Sequence, residues 1–175
     1  EHGFDYVQDE MNNVIIYKPA TPGYENAPTV ILQGHMDMVC EKRPDVQHDF
    51  EKDGLNLSVK DGYVTANGTT LGGDDGIAVA YALALLDSTD LPHPALEVLI
   101  TVDEEIGLLG AVGLDCSVLK GKRMINMDSE AEGSLWISCA GGLSAVSHIP
   151  VARVDAEGEK LQIKVLSLIH ISEPT

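Results

Sequence analysis

Three short apolar segments of this chain each end in ionisable side chains, and this pattern constrains the fold more than any other feature. The segments and the groups that follow them are 29–33 with His35 and Asp37, 96–102 with residues 103–105, and 123–127 with Asp128. Their length and apolar content predict short strands that are covered on both faces. We therefore expect a sheet in which several strands end in polar groups.

The segments between these strands predict helices. The stretch "GIAVAYALALLDS" is rich in Ala and Leu and predicts a buried helix over about 76–87, and "GLLGAVGLD" predicts a short Gly-rich helix. Strands that alternate with helices are typical of an α/β fold, here a mixed, partly parallel sheet with flanking helices. Further strands are predicted at 4–8, 14–17, 55–59, 63–66 and 134–139. Core positions are expected for Tyr81 and Trp136.

The composition narrows the classes of partner. The chain has 11 basic and 28 acidic residues and a formal net charge of −17. Such a surface repels phosphate backbones and anionic membranes, so we expect no nucleic-acid partner and no membrane partner. The longest apolar run, 77–86, is too short to span a bilayer. The three cysteines form no CxxC pair, which favours a reducing, cytoplasmic location.

Acidic groups recur at one predicted edge of the sheet. Sites in open α/β sheets form beyond the carboxyl ends of the strands, and "TTLGGDDG" adds Asp74 and Asp75 just before the predicted helix. Carboxylates crowded at one edge repel each other and require a cation. One histidine with several carboxylates suits zinc or another divalent first-row metal.

Each of these groups also has an ordinary structural explanation when it is considered alone. A single histidine such as His35 is more often structural than a ligand. Asp74 and Asp75 before a glycine are typical of a turn or a helix N-cap, and Glu104 with Glu105 is typical of a solvated pair. Their joint placement favours the metal site. Two adjacent glutamates could then divide the work, one facing the metal and one accepting a proton from water.

Five motifs give the chain a resemblance to a known family. The motifs are "GHMDMV" (34–39), "GTTLGGDDGIAVA" (68–80), "TVDEEIGLLGA" (101–111), "INMDSEAEG" (125–133) and "CAGG" (139–142). In this order they resemble the aminoacyl-histidine dipeptidases, cytosolic peptidases with two catalytic zinc ions. The resemblance covers about residues 3–165. It implies the catalytic-domain fold of that family and a dipeptide as substrate, with histidine a candidate for its second residue.

The resemblance implies a ligand set for two divalent metal ions. His35 and Asp128 correspond to ligands of one ion, Asp74 to the carboxylate that bridges both ions, and Glu105 to a ligand of the second ion. Zn²⁺ is the expected metal, and Mn²⁺ and Co²⁺ also accept this ligand set. The family histidine that completes the second site has no counterpart in this chain.

The resemblance also implies catalytic roles. Glu104 corresponds to the general base that activates the metal-bridging water, and Asp37 to the residue that orients His35. A cis peptide bond is expected between Asp74 and Asp75. The complete protein could be a homodimer, although the sequence leaves the oligomeric state open.

A domain division follows from the same resemblance. Residues 1–140 are expected to be part of a metallopeptidase catalytic domain, and residues 141–165 the start of an α+β lid domain. Residues 166–175, "LSLIHISEPT", resemble a translated sequencing adaptor and are expected to be non-native. We therefore interpret the chain as a fragment that has little or no peptidase activity by itself.

Several alternatives remain open from the sequence. Within related families, a zinc aminoacylase, another deacylase or a tripeptidase would carry similar motifs. A non-catalytic metal-binding module could keep the same acidic edge. A nucleotide-binding domain is disfavoured, because "LGGDDG" is not a GxGxxG motif and no GxxxxGK[ST] loop is present.

Overall fold

A five-stranded sheet forms the framework of the unit Glu1–Glu130. The computed structural model describes residues 2–129, 133–139, 146–152, 157–158 and 161. The strands are β1 (Asp5–Gln8), β2 (Val14–Lys18), β3 (Val30–His35), β4 (Leu57–Lys60), β5 (Tyr63–Ala66), β6 (Leu96–Thr101) and β7 (Arg123–Asn126). The helices are α1 (Gly73–Asp87), α2 (Leu109–Gly113) and a 3₁₀ turn at Cys116–Val118.

The sheet is mixed, as the sequence predicts. Its strand order is β1-β2-β6-β3-β7. β1 and β2 pair antiparallel, as do β2 and β6, whereas β3 pairs parallel with both β6 and β7. The carboxyl ends of these three parallel strands therefore lie at the same edge of the sheet. β4 and β5 form a separate antiparallel hairpin.

α1 covers one face of the sheet through a narrow stripe of small and apolar residues. Ala78, Ala82 and Leu86 are buried and follow one another at intervals of four residues, the spacing of one helix face. Ala82 and Leu86 pack with Leu32 and with apolar residues of β6. The backbone angles of Asp74 and Asp75 are not helical, so the regular helix begins close to the predicted residue 76.

The opposite face of α1 differs from the prediction. Ile77, Tyr81 and Leu83 are exposed in this chain, so the expected core position of Tyr81 is wrong. The reason is that, among the described residues, the sheet is the one layer that packs against this helix, and it can cover only one stripe of an all-apolar helix. The C-terminal end of α1 is capped by the buried Lys18, whose Nζ donates to three backbone carbonyls, those of Leu85, Leu86 and Ser88.

The second face of the sheet carries a smaller cluster of Ile15, Ile31 and Leu99. A buried carboxylate, Glu97, lies on the same strand as Leu99. Its oxygens accept hydrogen bonds from the backbone N–H groups of Lys120 (2.9 Å) and Gly121 (3.0 Å), just before β7. These bonds compensate the cost of burying the charge and fix the start of β7.

The prediction of a strand at 134–139 is wrong. Residues 133–139, which belong to the unit Ala131–Thr175, form no strand. Leu135 and Ile137 are almost fully exposed and Trp136 is 71% exposed, so the expected core position of Trp136 is also wrong. Alternating apolar residues form a strand only when a neighbouring strand pairs with them, and no strand pairs with residues 133–139 in the described part of the chain.

Two other predictions fall mostly on residues outside those described. They are the lid-domain start at 141–165 and the tail at 166–175, and both stay predictions. Among the described residues, no helix has the length and apolar character required to cross a membrane.

Candidate metal centre

His35 lies at the middle of a group of acidic side chains beyond the sheet edge. It is the last residue of β3 and is 1% exposed. Its Nε2 is 3.1 Å from Oδ1 of Asp74, which precedes the regular part of α1, and 3.9 Å from Oε2 of Glu104, in the loop after β6. Asp128, two residues after β7, offers an oxygen to the same group. Four chain segments therefore meet here, as the sequence predicts.

The second nitrogen of His35 faces Asp37. Nδ1 is 3.0 Å from the backbone carbonyl oxygen of Asp37 and 3.3 Å from its Oδ1. Both partners are acceptors, so Nδ1 carries the proton and Nε2 presents its lone pair in the neutral ring. That lone pair then faces the Asp74 carboxylate, another acceptor. The contact requires either a proton between Nε2 and the Asp74 carboxyl group or a cation beside both groups.

Asp37 also contacts the loop that follows β6. Its Oδ2 accepts a hydrogen bond from the backbone N–H of Glu105 at 3.2 Å. Burial would raise the pKa of Asp37, but the backbone N–H groups of Glu104 and Glu105 hold it below its usual range. Asp37 thus connects the histidine, through its backbone carbonyl, to the loop that carries both glutamates, through its carboxylate.

Asp75 has a different role from its neighbour Asp74. The peptide bond that joins the two residues is cis, as expected. The Asp75 side chain is buried, and its two oxygens accept from the backbone N–H groups of His35 and Ala78, both at 3.3 Å. It therefore caps the first turn of α1 and joins that helix to β3. Gly34 makes this possible, because a Cβ there would lie 2.6 Å from Asp75 Oδ2.

The cluster contains more acidic than basic groups, and their mutual repulsion and burial shift the pKa values of its members. Burial raises the pKa of Glu104, and the negative charge of Asp128 raises it further. Burial likewise raises the pKa of Glu105, as does the charge of Asp74. Burial alone would lower the pKa of His35, but the hydrogen bond with Asp74 and the nearby carboxylates raise it above its usual value. A cation at this position would relieve the repulsion among the carboxylates.

The donor atoms fit a metal ion. Two groups of three bring their ligand atoms within 4.8 Å of one another: His35, Asp74 and Asp128, and His35, Glu104 and Glu105. The first group matches the predicted set for one ion. Because His35 offers one nitrogen, it cannot serve both groups at once, and the glutamates would need a further donor. One nitrogen and several carboxylate oxygens suit a divalent first-row metal.

All six residues singled out in the sequence thus lie in or beside one cluster, while their individual roles stay predictions. Sequence reasoning placed Asp75 at this edge but did not predict its capping role. It missed Gly34, and it missed Asn13, whose side chain bonds to the backbone of Val102 and Gly110. The glycine of "GHMDMV" offered a signal for a close backbone approach. Nothing local distinguishes Asp75 from Asp74, and Asn13 belongs to a polar segment that looks like an ordinary turn.

Comparison with known proteins supports the motif-based resemblance. Residues 31–175 match the profile of the peptidase family M20/M25/M40. Over 153 residues, the chain is 45% identical to the cytosol non-specific dipeptidase of Escherichia coli (strain K12). The alignment covers 87% of this chain and 32% of that protein, so the chain spans about a third of the length of this relative.

Solved structures show the same fold. The aminoacylhistidine dipeptidase of Vibrio alginolyticus superposes with a TM-score of 0.72 and 50% identity, over 75% of this chain and 27% of that protein. A tripeptidase of Staphylococcus aureus superposes with a TM-score of 0.61 and 29% identity, over 74% of this chain and 35% of that protein. In both cases the chain matches only part of a longer protein.

Proposed function

The chain belongs to the peptidase family M20/M25/M40, and we propose that the complete protein is a metal-dependent dipeptidase. The observation that carries the proposal is the convergence of His35, Asp74 and Asp128 with Glu104 and Glu105 at one sheet edge. The identity to a cytosolic dipeptidase supports dipeptides as the substrate class and the cytoplasm as the location.

His35, Asp74 and Asp128 would hold one metal ion, and Glu105 would be a ligand of a second ion that shares Asp74. Zn²⁺ is the metal that this donor set favours. Bound there, the ions supply Lewis-acid polarisation of the peptide carbonyl and lower the pKa of water. The proton on Nδ1 of His35, held by Asp37, keeps Nε2 available as a ligand atom.

Glu104 acts as the general base of the proposed reaction. Its carboxylate accepts a proton from the attacking water and passes it to the amine nitrogen as the peptide C–N bond breaks. The burial that raises its pKa makes it a stronger base than an exposed glutamate. Glu105 stands next to it, and its backbone N–H is held by Asp37. In this proposal Glu104 is the base and Glu105 is the metal ligand.

Replacing Glu104 with Gln in the complete protein tests this proposal. We expect Glu104→Gln to keep its metal, measured by elemental analysis, while kcat for a dipeptide falls by about 10²- to 10⁴-fold. The matched control is Glu51→Gln, at an exposed glutamate distant in sequence from the cluster, which should change neither quantity. If Glu104→Gln retained full turnover, Glu104 would not be the general base. If the wild-type protein bound metal without hydrolysing dipeptides, a non-catalytic metal-binding module would be the better description.

Substrate length and the second residue are the finer questions. The likeness to a tripeptidase makes tripeptides the second candidate substrate class. The names of the two dipeptidase relatives describe different specificities: one enzyme is called non-specific, and the other is called an aminoacylhistidine dipeptidase. Our proposal is dipeptides with a free amino end, with histidine accepted as the second residue. Comparing kcat/KM for Ala-His, Ala-Ala and Ala-Ala-Ala decides among these substrates.

A further inference from the structure

We propose that Asn13 is a positioning residue for Glu104 and Glu105. These glutamates lie in the segment 102–110, which we term the glutamate loop. Asn13 lies immediately before β2 and far from the glutamate loop in sequence. The inference rests on the proposed function, because it concerns the placement of the general base and of a metal ligand.

The side-chain amide of Asn13 clamps both ends of the glutamate loop. Its Oδ1 accepts a hydrogen bond from the backbone N–H of Val102 at 3.2 Å. Its Nδ2 donates to the backbone carbonyl of Gly110 at 2.9 Å. The side chain is 0% exposed, so neither bond competes with water. One buried amide therefore bonds to the first and the last residue of the loop.

The orientation of this amide is fixed by a second contact. Nδ2 also donates to Oδ2 of Asp9 at 2.7 Å, and Oδ1 of Asp9 accepts from the backbone N–H of Asn13 at 2.8 Å. Both amide protons thus point at acceptors, and the oxygen points at a donor. The Asn13 side chain has a single satisfactory orientation, which is what a clamp requires.

The base of the loop packs closely against Asn13. The N–H of Gly110 donates to the carbonyl of Val102 at 3.1 Å, which closes the loop on itself. A Cβ at Gly110 would lie 2.6 Å from Asn13 Oδ1 and would collide with the Val102 carbonyl. Asn13 is therefore in direct contact with the point where the loop begins and ends.

Bonds inside the loop connect this base to the glutamates. The carbonyl of Glu104 accepts from the N–H groups of Gly107 and Leu108, both at 3.0 Å, and the carbonyl of Asp103 accepts from Leu109 at 3.0 Å. A shift at the base is therefore passed to the Glu104 carboxylate. A displacement of about 1 Å can reduce catalysis about 10²-fold.

Kinetics and metal binding of Asn13→Ala in the complete protein test the inference. We expect kcat to fall about 10- to 100-fold and zinc affinity, measured by titration calorimetry, to fall about 10-fold. The control is Lys18→Met, at the other end of β2. It removes three hydrogen bonds to the C-terminal end of α1, but no hydrogen bond to the glutamate loop. Lys18→Met should lower the midpoint of thermal unfolding and leave kcat and zinc affinity unchanged.

Hydrogen exchange of the complete protein gives a readout that is independent of activity. In Asn13→Ala, the amides of Val102, Leu108 and Leu109 should exchange faster, while those of β3 stay protected. If Asn13→Ala does not fold, Asp9→Ala provides a milder test, since it removes the bonds that orient Asn13 and keeps the clamp itself. It should produce smaller changes in the same direction.

The proposed function and the role of Asn13 can be contradicted independently of each other. A wild-type protein without peptidase activity would contradict the proposed function, while hydrogen exchange would still test the clamp. An active wild-type protein whose Asn13→Ala variant matches Lys18→Met in kcat and zinc affinity would overturn the role of Asn13. So would exchange rates that rise equally throughout the sheet, because that pattern indicates a purely structural role.

Discussion

The proton on His35 Nδ1 is the single-residue feature on which the candidate site depends. Asp37 presents two acceptors to that nitrogen, which leaves Nε2 facing Asp74. Asp37 also holds the N–H of Glu105. The backbone carbonyl of Asp37 thus holds the histidine and its carboxylate holds one glutamate, and in our proposal neither group is a ligand.

Removing this carboxylate should weaken metal binding. We expect Asp37→Ala in the complete protein to reduce zinc affinity by about 10- to 100-fold, because the carboxylate that holds the N–H of Glu105 and lies 3.3 Å from Nδ1 of His35 is lost. Titration calorimetry measures the change. Asp45→Ala, at an exposed aspartate, serves as the control. Equal affinity in the Asp37 and Asp45 variants would contradict this prediction.

Sequence reasoning found the residues of the site because their types and positions are local properties. A histidine and carboxylates at the ends of apolar segments can be read without knowing which strands pair. The role of Asp75 could not be read in this way. Asp74 and Asp75 are chemically identical neighbours, and their difference arises from packing against His35 and Ala78.

At the scale of elements, the contact between β3 and the start of α1 brings Asp74 to His35. Gly34 lies in this contact, and a Cβ there would be 2.5 Å from the Ala78 Cβ. Neither α1 nor β3, which is paired on both sides, can easily move apart to relieve so short a contact. The glycine therefore determines how closely α1 approaches the sheet.

Enlarging Gly34 should separate α1 from β3. We expect Gly34→Ala to lower the free energy of unfolding by about 1–3 kcal/mol, as overpacking of a tight contact does, and to weaken metal binding because Asp74 moves with the helix. Denaturant unfolding of the complete protein measures the first effect. The matched control is Gly54→Ala, where a Cβ would meet nothing within 4 Å. A neutral Gly34→Ala would show that the contact is adaptable.

Most predicted strands were confirmed where a segment with a periodic or β-branched pattern also pairs with a neighbouring strand. β5 was predicted with its observed bounds, and β3 differs by one or two residues at its ends. The segment 134–139 had a similar pattern but forms no strand. Alternating apolar residues indicate a segment with one face that could be buried. A strand also needs a neighbouring strand whose backbone hydrogen-bonds with its own.

At the scale of the whole molecule, the chain spans about a third of its dipeptidase relative. We therefore expect the isolated 175-residue chain to have little or no peptidase activity. It lacks the histidine expected at the second metal ion, and the two glutamates need a further donor. Assay of the purified chain beside the complete protein measures this directly. Robust hydrolysis by the chain, abolished by Glu104→Ala, would contradict the expectation.

The sequence by itself determined the kinds of element, the sheet edge at which ionisable groups gather, and the chemistry of the donor atoms. These properties follow from local composition and periodicity. The tertiary structure alone decided that Asp75 joins α1 to β3 and which residue clamps the glutamate loop. Asn13 is 89 residues from Val102 and 97 from Gly110. The hydrogen bonds between them exist only because β2 pairs with β6, a long-range choice that no local pattern records.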